Sequence, residues 1–295
     1  MENRTIIATA LNEHVRIYIL NAKKLVEDAR KKHDLYPTSL AALGRTLSVT
    51  ALMGLMLKGE NETVTVTING NGPIGTIMAV AQNNGDVKGF VGDNEIYLKY
   101  NSNNKLAVGL AVGNEGYLKV TKDLDMRQNY TSQVALQTGE IGDDFAYYFS
   151  VSEQRPTIVS TGVLVDKDYS CLSAGALIIE VMPDALEEDI VYLEELARKL
   201  KPISSMLLES DDLEMHLKGM FEDLQILEER EVRYHCDCSR ERFLRNFLTL
   251  PKSDLEELAL DAEKEDIEVR CEFCNSRYHY SKKDMDKLLK YAKNR

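Results

Sequence analysis

Four cysteines near the C-terminus constrain the fold of this chain more than any other feature. Cys236 and Cys238 form a C-x-C pair, and Cys271 and Cys274 form a C-x-x-C pair 32 residues later. Four thiolates in two close pairs can surround one tetrahedral Zn²⁺, each pair holding one edge of the ion. A secreted disulfide framework is disfavoured, because five cysteines is a small and odd count. The spacing predicts one Zn²⁺ per chain, bound by these four residues.

The sequence around the two pairs is typical of a small metal domain. Val269 and Arg270 precede the second pair and residues 277–280 follow it, which predicts a hairpin with the pair at its turn. Helical faces are predicted from Phe243, Leu244, Phe247 and Leu248, from a capping box of Ser253 with Glu256, and from a second box of Ser281 with Asp284. Residues 232–295 number only 64, a size at which a bound metal often supplies folding energy.

The chemistry of four cysteines leaves several functions open. A purely structural zinc site is the first reading. Zinc thiolates are also oxidisable, and their conversion to sulfenic acid and disulfide ejects the metal and unfolds a domain that depends on it. A thioredoxin-type site is less favoured, because no βαβ unit surrounds the C-x-x-C pair. Basic residues near the cysteines could form a nucleic-acid face, although solvated helix faces are the favoured interpretation: Arg240, Arg242, Arg245, Lys282, Lys283 and Lys287.

Three further residues with ligand chemistry are expected to play no part in the metal site. His235 and His279 lie near the cysteines in sequence, but four thiolates already complete a tetrahedron. Cys171 precedes a strongly apolar run, where a free cysteine usually acts as a small buried hydrophobic residue.

Charge divides the sequence into three predicted parts. Residues 183–231 contain 15 acidic and 5 basic side chains, and so carry −10 of the net charge of −12. Leucines and other apolar residues recur there every three or four positions, which predicts an acidic helical linker with one apolar face. The linker separates an N-terminal domain, residues 1–182, from the zinc domain, residues 232–295.

The N-terminal domain is predicted to be α+β, with largely antiparallel sheets around a buried helix. The helix begins near Pro37 and runs through the apolar stretch to Leu57. An amphipathic helix is expected within residues 21–33. Strands are expected in residues 63–68, 77–81, 87–91, 106–112, 117–120, 157–165 and 172–181.

The sequence does not support the motifs of several common enzyme classes. Gly70, Gly72 and Gly75 satisfy G-x-G-x-x-G, but a strand rather than a helix is predicted after them, so a tight turn is the better interpretation. The sequence has no G-x-S-x-G, no H-E-x-x-H and no P-loop. The usual sequence support for a hydrolase, a zincin or a nucleotidase is therefore missing.

Location and partners follow from charge and hydropathy. Residues 1–14 lack a basic segment followed by an apolar one, so the cytoplasm is the expected compartment. The longest apolar stretch, residues 46–57, is shorter than the roughly 20 residues that span a bilayer. A net charge of −12 repels phosphate backbones, so membranes and nucleic acids are unfavoured partners.

With its cysteine pairs, the chain resembles the redox-regulated holdase chaperone family, the heat-shock protein of 33 kDa of the bacterial cytosol. The likeness extends over nearly the whole chain. Beyond the cysteines it rests on residues 130–141, on Ser152, Glu153 and Gln154, and on the step from Val181 through Met182 to Pro183.

The resemblance implies an ATP-independent chaperone that is inactive when reduced and zinc-bound. On oxidation, Cys236 would be linked to Cys238 and Cys271 to Cys274, zinc would leave, and the zinc domain and linker would unfold. Exposed apolar surface would then bind unfolding client proteins. The resemblance also implies a homodimer when active and transfer of clients to ATP-driven foldases. It implies no hydrolytic centre, so we predict that the chain is not an enzyme, and it identifies no client-binding residue. The alternative from the residues themselves is a zinc-ribbon protein that binds nucleic acid.

Overall fold

The structure is a computed structural model that describes residues 3–100, 105–262 and 266–292. The chain folds as two compact units, Met1–His235 and Cys236–Arg295. The three-part division into residues 1–182, 183–231 and 232–295 stays a prediction. In the structure, the acidic segment and the four residues that follow it belong to the first unit.

The first unit contains eleven strands and seven helices among its described residues. The strands are β1 (Arg4–Ala10), β2 (Val15–Asn21), β3 (Thr63–Asn69), β4 (Ile77–Gln82), β5 (Asp86–Val91), β6 (Tyr117–Asp123), β7 (Tyr130–Ala135), β8 (Thr157–Val165), β9 (Cys171–Val181), β10 (Gln225–Glu231) and β11 (Arg233–Tyr234). The helices are α1 (Lys23–His33), α2 (Pro37–Leu55), α3 (Val108–Val112), α4 (Gly142–Val151), α5 (Glu187–Lys199), α6 (Ile203–Glu209) and α7 (Leu213–Lys218).

The second unit is smaller. Its described elements, in chain order, are α8 (Arg240–Phe247), α9 (Lys252–Asp261), β12 (Ile267–Arg270), β13 (Arg277–Tyr280) and α10 (Lys282–Ala292).

Two sheets organise the first unit. One has five strands in the order β10-β1-β2-β9-β8, and the other has six in the order β11-β5-β4-β3-β6-β7. All neighbouring strands are antiparallel except the short pair of β11 with β5. The predicted α+β class with largely antiparallel sheets is confirmed.

Helix α2 is the buried helix that the sequence predicts. Pro37 occupies its first turn, where the missing N–H of proline costs no helical hydrogen bond. Every residue of α2 except Arg45 is buried, because the helix packs against β4 and β5 of one sheet and β8 and β9 of the other. Among the described helices none, α2 included, has the length and apolar character needed to cross a membrane.

The five-stranded sheet is buried on both faces. In β9, Ala176 and Ile178 belong to the core that contains α2, whereas Leu177 and Ile179 belong to a second core on the opposite face. Alternate residues of a strand point to opposite faces, so each face of β9 needs its own cover. The second face is covered by the acidic segment, through residues such as Leu213 and Phe221.

The acidic segment is only partly helical. Helices α5, α6 and α7 confirm the predicted periodicity, but the helix beyond Leu213 ends at Lys218 rather than extending to Leu224. Residues 225–231 form strand β10, which was not predicted from the sequence. This strand pairs with β1 at the edge of the five-stranded sheet, where Arg4 and Glu229 form an ion pair of 2.6 Å.

Other local predictions have mixed outcomes. The glycine turn is confirmed, since residues 70–76 connect β3 to β4. A β-carbon added at Gly72 would lie 2.3 Å from the carbonyl oxygen of Ala111, so the turn needs glycine for close backbone approach. The predicted strand at 106–112 is wrong, because residues 108–112 form helix α3 beside that turn. Strand β7 and helix α4 were not predicted.

Candidate metal centre

The four sulfur atoms of the cysteine pairs lie together in the second unit. All four are within 4.8 Å of one another. The Sγ atoms of Cys236 and Cys271 are 3.7 Å apart, and those of Cys238 and Cys274 are 3.3 Å apart. These distances exceed the bonded sulfur separation of about 2.05 Å. The cysteines are therefore free thiols, arranged as one cluster.

Local turns bring the two pairs into position. Strands β12 and β13 form the predicted hairpin, and Cys271 and Cys274 lie in its turn. Hydrogen bonds close this turn, since the backbone N–H of Cys271 donates to Ser276 O at 2.9 Å and that of Asn275 donates to Cys271 O at 2.8 Å. Asn275 has φ of +59°, a conformation that asparagine tolerates better than most residues. The first pair precedes α8, whose N-cap is Ser239.

The cluster fits a tetrahedral cation. Zn–S bonds of about 2.3 Å place the sulfur atoms of a regular tetrahedron about 3.8 Å apart. The separation of 3.7 Å between Cys236 and Cys271 matches this value, and the full spread up to 4.8 Å needs only small side-chain shifts. Four soft thiolate donors favour zinc over hard cations. The residues present could therefore hold one metal ion.

The thiols differ in acidity. Burial raises the pKa of Cys236 to about 11 and raises the pKa of Cys271 well above its ordinary value. Burial acts in the same direction on Cys274, but hydrogen bonds from the side chain and backbone of Ser276 prevail and lower its pKa to about 7. A cation bound to the sulfur atoms favours the thiolate form of each. The protein environment therefore favours the thiolate of Cys274 and disfavours those of Cys236 and Cys271.

Two hydroxyl groups lie against the sulfur atoms. The hydroxyl oxygen of Tyr278 is 3.1 Å from Cys238 Sγ, and that of Ser276 is 3.2 Å from Cys274 Sγ. Tyr278 was predicted only as part of the hairpin, and neither contact was predicted from the sequence. The available signal was the position of these residues two and four places after the last cysteine, Ser276 at the end of the turn and Tyr278 on β13.

The remaining core of the second unit is small. Its main cluster contains the buried residues Ala259, Ala262, Tyr280, Met285 and Leu288, with the predicted face of α8 packed against them, and Leu255 of α9 is buried as well. The capping box of Ser281 with Asp284 is supported by the Ser281 N–H, which donates to Asp284 at 2.9 Å. The box of Ser253 with Glu256 is wrong, because α9 begins at Lys252 with Pro251 as its N-cap, so Ser253 lies inside the first turn. So few buried residues leave much of the stability to the cysteine cluster.

The other candidate ligands lie outside the cluster. His279 is exposed beside Glu268, with 3.6 Å between their nearest side-chain atoms. The backbone N–H of His235 donates to Val87 O in the first unit. Cys171 is buried at the start of β9, and burial raises its pKa to about 12. A thiol of this kind is a poor nucleophile at neutral pH.

Comparison with known proteins identifies the family. The family model described as Hsp33 protein matches residues 3–281. The chain belongs to the Hsp33 family. The resemblance drawn from the cysteines and the N-terminal motifs is thereby confirmed.

Individual relatives agree over almost the full length. A 33 kDa chaperonin of Bacillus cytotoxicus is 41% identical over 291 residues, covering 98% of this chain and 99% of the relative. One from Bacillus mycoides is 40% identical over 292 residues with the same coverage. The crystal structure of a 33 kDa chaperonin from Thermotoga maritima, titled a heat shock protein 33 homolog, superposes with a TM-score of 0.91. That protein is 34% identical, and the match covers all of both chains.

Two glutamates of the segments on which the resemblance rests outside the cysteines make structural contacts in the first unit. Glu140 binds Arg45 at 2.8 Å and the Tyr100 hydroxyl at 2.6 Å. Glu153 binds Lys122 at 2.7 Å and the Tyr148 hydroxyl at 2.5 Å. Burial acts to raise the pKa of both carboxylates, but these hydrogen bonds and cations prevail and lower it. The ion pairs and hydrogen bonds of these two carboxylates stabilise the fold of the first unit.

Proposed function

We propose that this chain is an ATP-independent holdase chaperone controlled by oxidation of its four-cysteine site. Membership of the Hsp33 family supports a chaperone function. The observation that carries the redox control is the cluster of four free thiols within 4.8 Å, in a unit with few buried apolar residues. Such a unit depends on its metal for stability, so loss of the metal unfolds it.

Cys236, Cys238, Cys271 and Cys274 are the proposed ligands of one Zn²⁺ in the reduced protein. Zn²⁺ supplies a positive charge that holds the four sulfur atoms together as thiolates. On oxidation, each pair of thiolates loses two electrons as one S–S bond forms, and a hydroperoxide accepts them with two protons to give water and an alcohol or a second water. The pairing of Cys236 with Cys238 and of Cys271 with Cys274 is proposed on the family resemblance.

The apolar surface that clients would bind lies beneath the acidic segment. Helix α6 packs on a glycine pair, Gly162 of β8 and Gly175 of β9, which are opposite each other in register. A β-carbon at Gly162 would lie 2.6 Å from Ser204 Oγ, and one at Gly175 would lie 2.3 Å from Leu207 Cδ1. The sheet is thus shaped to receive this helix. Its departure would expose the second core face, including Leu177 and Ile179.

Polar anchors hold the acidic segment at the turn between β1 and β2. The Asp223 carboxylate accepts hydrogen bonds from the backbone N–H groups of Leu11 at 2.9 Å and Asn12 at 2.7 Å. His14 Nδ1 lies 2.6 Å from Asp189 of α5. These few contacts oppose the repulsion within a segment whose net charge is −10.

The segment immediately before Cys236 provides the proposed route from the thiol cluster to the cover. Val232 is fully buried, and Arg233 lies 2.5 Å from Asp86. The Tyr234 hydroxyl donates to Gly89 O at 2.7 Å. Unfolding of the second unit would leave this segment as the end of a folded chain, where fraying is easiest. Fraying that continues through β10 then reaches α5 to α7.

The wider setting of the proposal comes from the family resemblance. Unfolding proteins are the proposed clients, the active form is proposed to be a homodimer, and ATP-driven foldases are proposed to receive the clients. The cytoplasm is the proposed compartment. The role as a binding protein without enzymatic activity belongs to the same proposal.

An aggregation assay tests the function directly. Reduced, zinc-loaded protein and peroxide-oxidised protein are each added to a thermally unfolding client without nucleotide. We expect suppression of aggregation only by the oxidised form, accompanied by zinc release and binding of a hydrophobic dye. Equal activity of both forms would refute the redox control, and inactivity of both would refute the chaperone function.

The same protein preparations distinguish the chaperone function from the alternative of nucleic-acid binding. Salt-sensitive binding of RNA or DNA by the reduced protein would favour a zinc-ribbon function. Two of the basic residues on which that alternative rests are engaged with carboxylates. Arg240 lies 2.6 Å from Asp284, and Arg242 pairs with Asp237.

A further inference from the structure

The hydroxyl groups beside the cysteine cluster bear on how firmly the sulfur atoms retain a metal. The Tyr278 hydroxyl oxygen lies 3.1 Å from Cys238 Sγ and also 3.1 Å from the carbonyl oxygen of Cys238. The Ser276 hydroxyl oxygen lies 3.2 Å from Cys274 Sγ. Two of the four sulfur atoms therefore have a side-chain hydroxyl within hydrogen-bond distance.

The direction of each hydrogen bond depends on the sulfur. A thiol can donate its proton to the hydroxyl oxygen, and the Tyr278 hydroxyl can then donate to the carbonyl oxygen of Cys238. A metal-bound thiolate has no proton, so the hydroxyl becomes the only possible donor and the sulfur the acceptor. Hydrogen bonds to charged acceptors are about twice as strong as neutral ones. These hydroxyls therefore favour the metal-bound form of the cluster over the free thiols.

The Tyr278 hydroxyl is held firmly in place. Tyr278 lies in β13, paired with Val269 of β12. Its ring packs against Phe243 of α8, with centroids 5.3 Å apart. A phenylalanine at this position keeps the ring and its packing and removes only the hydroxyl.

We propose that the hydroxyls of Tyr278 and Ser276 donate to the thiolates of Cys238 and Cys274, and so strengthen metal retention and slow the first oxidation step. This inference rests on the proposed zinc site and names two residues that control how readily the site is oxidised. In that step a thiolate sulfur attacks one oxygen of hydrogen peroxide, the O–O bond breaks, and the departing hydroxide takes up one proton, so that sulfenic acid and water form. A hydrogen bond to the attacking lone pair lowers its nucleophilicity. Tyr278 and Ser276 are positioning residues, since they act through the sulfur atoms.

The test compares Tyr278→Phe and Ser276→Ala with the full-length parent protein. The matched control is Tyr280→Phe in the same strand, whose hydroxyl donates to the carbonyl oxygen of Arg240 at 3.0 Å rather than to a sulfur. Zinc affinity is measured by competition with a chromophoric chelator, and zinc release under hydrogen peroxide is followed with the same chelator. Replacement of zinc by Co²⁺ reports on the sulfur atoms through the thiolate-to-cobalt charge-transfer band.

We expect Tyr278→Phe to lower zinc affinity by about tenfold, the lower end of the effect of removing a hydrogen bond to a metal ligand. Zinc release under peroxide should accelerate, and the charge-transfer band should shift. Ser276→Ala should change all three in the same direction, and it decides the matter if Tyr278→Phe fails to fold. Tyr280→Phe should leave the band and the release rate unchanged.

Three outcomes separate this inference from the proposed function. A parent protein that binds no zinc overturns the zinc site itself. A parent that binds zinc tightly, with Tyr278→Phe and Ser276→Ala unchanged in affinity, release rate and band position, overturns only the inference. A Tyr280→Phe variant that matches Tyr278→Phe in all three readouts also overturns it, since the effect would then be structural.

Discussion

Two adjacent leucines of α6 offer a matched test of the cover over the five-stranded sheet. Leu207 is 7% exposed and lies over Gly175, whereas Leu208 is 55% exposed. Alanine at either position makes the same change in side-chain size and in helix propensity. Only Leu207→Ala removes a contact between the acidic segment and the sheet.

The magnitude follows from burial. Replacing a buried leucine with alanine costs about 2 to 5 kcal/mol, while changes at exposed positions stay within about 0.5 kcal/mol. Each 1.4 kcal/mol or so is a tenfold change in an equilibrium constant. If the loss falls on the docked segment, Leu207→Ala should raise the population of the undocked state by about 30-fold or more. Leu208→Ala should change it by no more than about two- to threefold.

Hydrogen exchange on the reduced, zinc-loaded proteins measures this population. Amides of α5, α6 and α7 should exchange faster in Leu207→Ala than in the parent, with β3 of the other sheet as the internal reference. Binding of a hydrophobic dye should increase in parallel, and aggregation of a client should be partly suppressed without oxidation. Leu208→Ala should match the parent in all three measurements.

Equal behaviour of the two variants would refute this reasoning. If Leu207→Ala accelerates exchange throughout both sheets, the acidic segment does not open separately from the core. If it opens the segment but exposes no dye-binding surface, the second core face is not the surface that clients would bind.

Three other perturbations have defined outcomes. The backbone N–H groups of Asn12 and Leu11 lower the pKa of Asp223. The stability that the Asp223 carboxylate contributes is therefore fully present above about pH 4, the ordinary aspartate pKa, and is lost as the pH falls through the lowered pKa of the folded protein. Hydrogen-exchange protection of the acidic segment, calculated relative to the intrinsic amide exchange rate at each pH, should fall on that acidification in the parent. Asp223→Ala, already less protected at pH 7, should lack this part of the pH dependence. Cys171→Ser should retain full zinc content and redox response, because the thiol is buried outside the cluster; loss of zinc, measured by metal analysis, would contradict this. Moderate salt should slow proteolysis of residues 183–231 in the oxidised protein, because screening weakens the repulsion among the side chains of a segment with a net charge of −10. Equal cleavage rates at low and high salt, with the effect of salt on apolar contacts controlled, would exclude charge repulsion as the cause of opening.

The sequence alone determined the features that local chemistry specifies. The spacing of Cys236, Cys238, Cys271 and Cys274 indicates one tetrahedral site without any knowledge of the fold, because few other arrangements use two tight thiol pairs. The hairpin that carries the second pair, the buried helix α2 and most strands follow from periodicity and turn residues. These signals are local, since each depends on residues within one element or its ends.

Tertiary structure decided which surfaces meet. Periodicity predicts an apolar face on the acidic segment, but only the structure shows Leu207 lying over Gly175 and residues 225–231 pairing with β1. Residues 108–112 show the same limit, because short apolar runs suit a strand or a helix until their neighbours are known. The contact of Tyr278 with Cys238 joins residues 40 positions apart. Local sequence does not specify contacts of this kind, because their free energy comes from partners that only folding brings together.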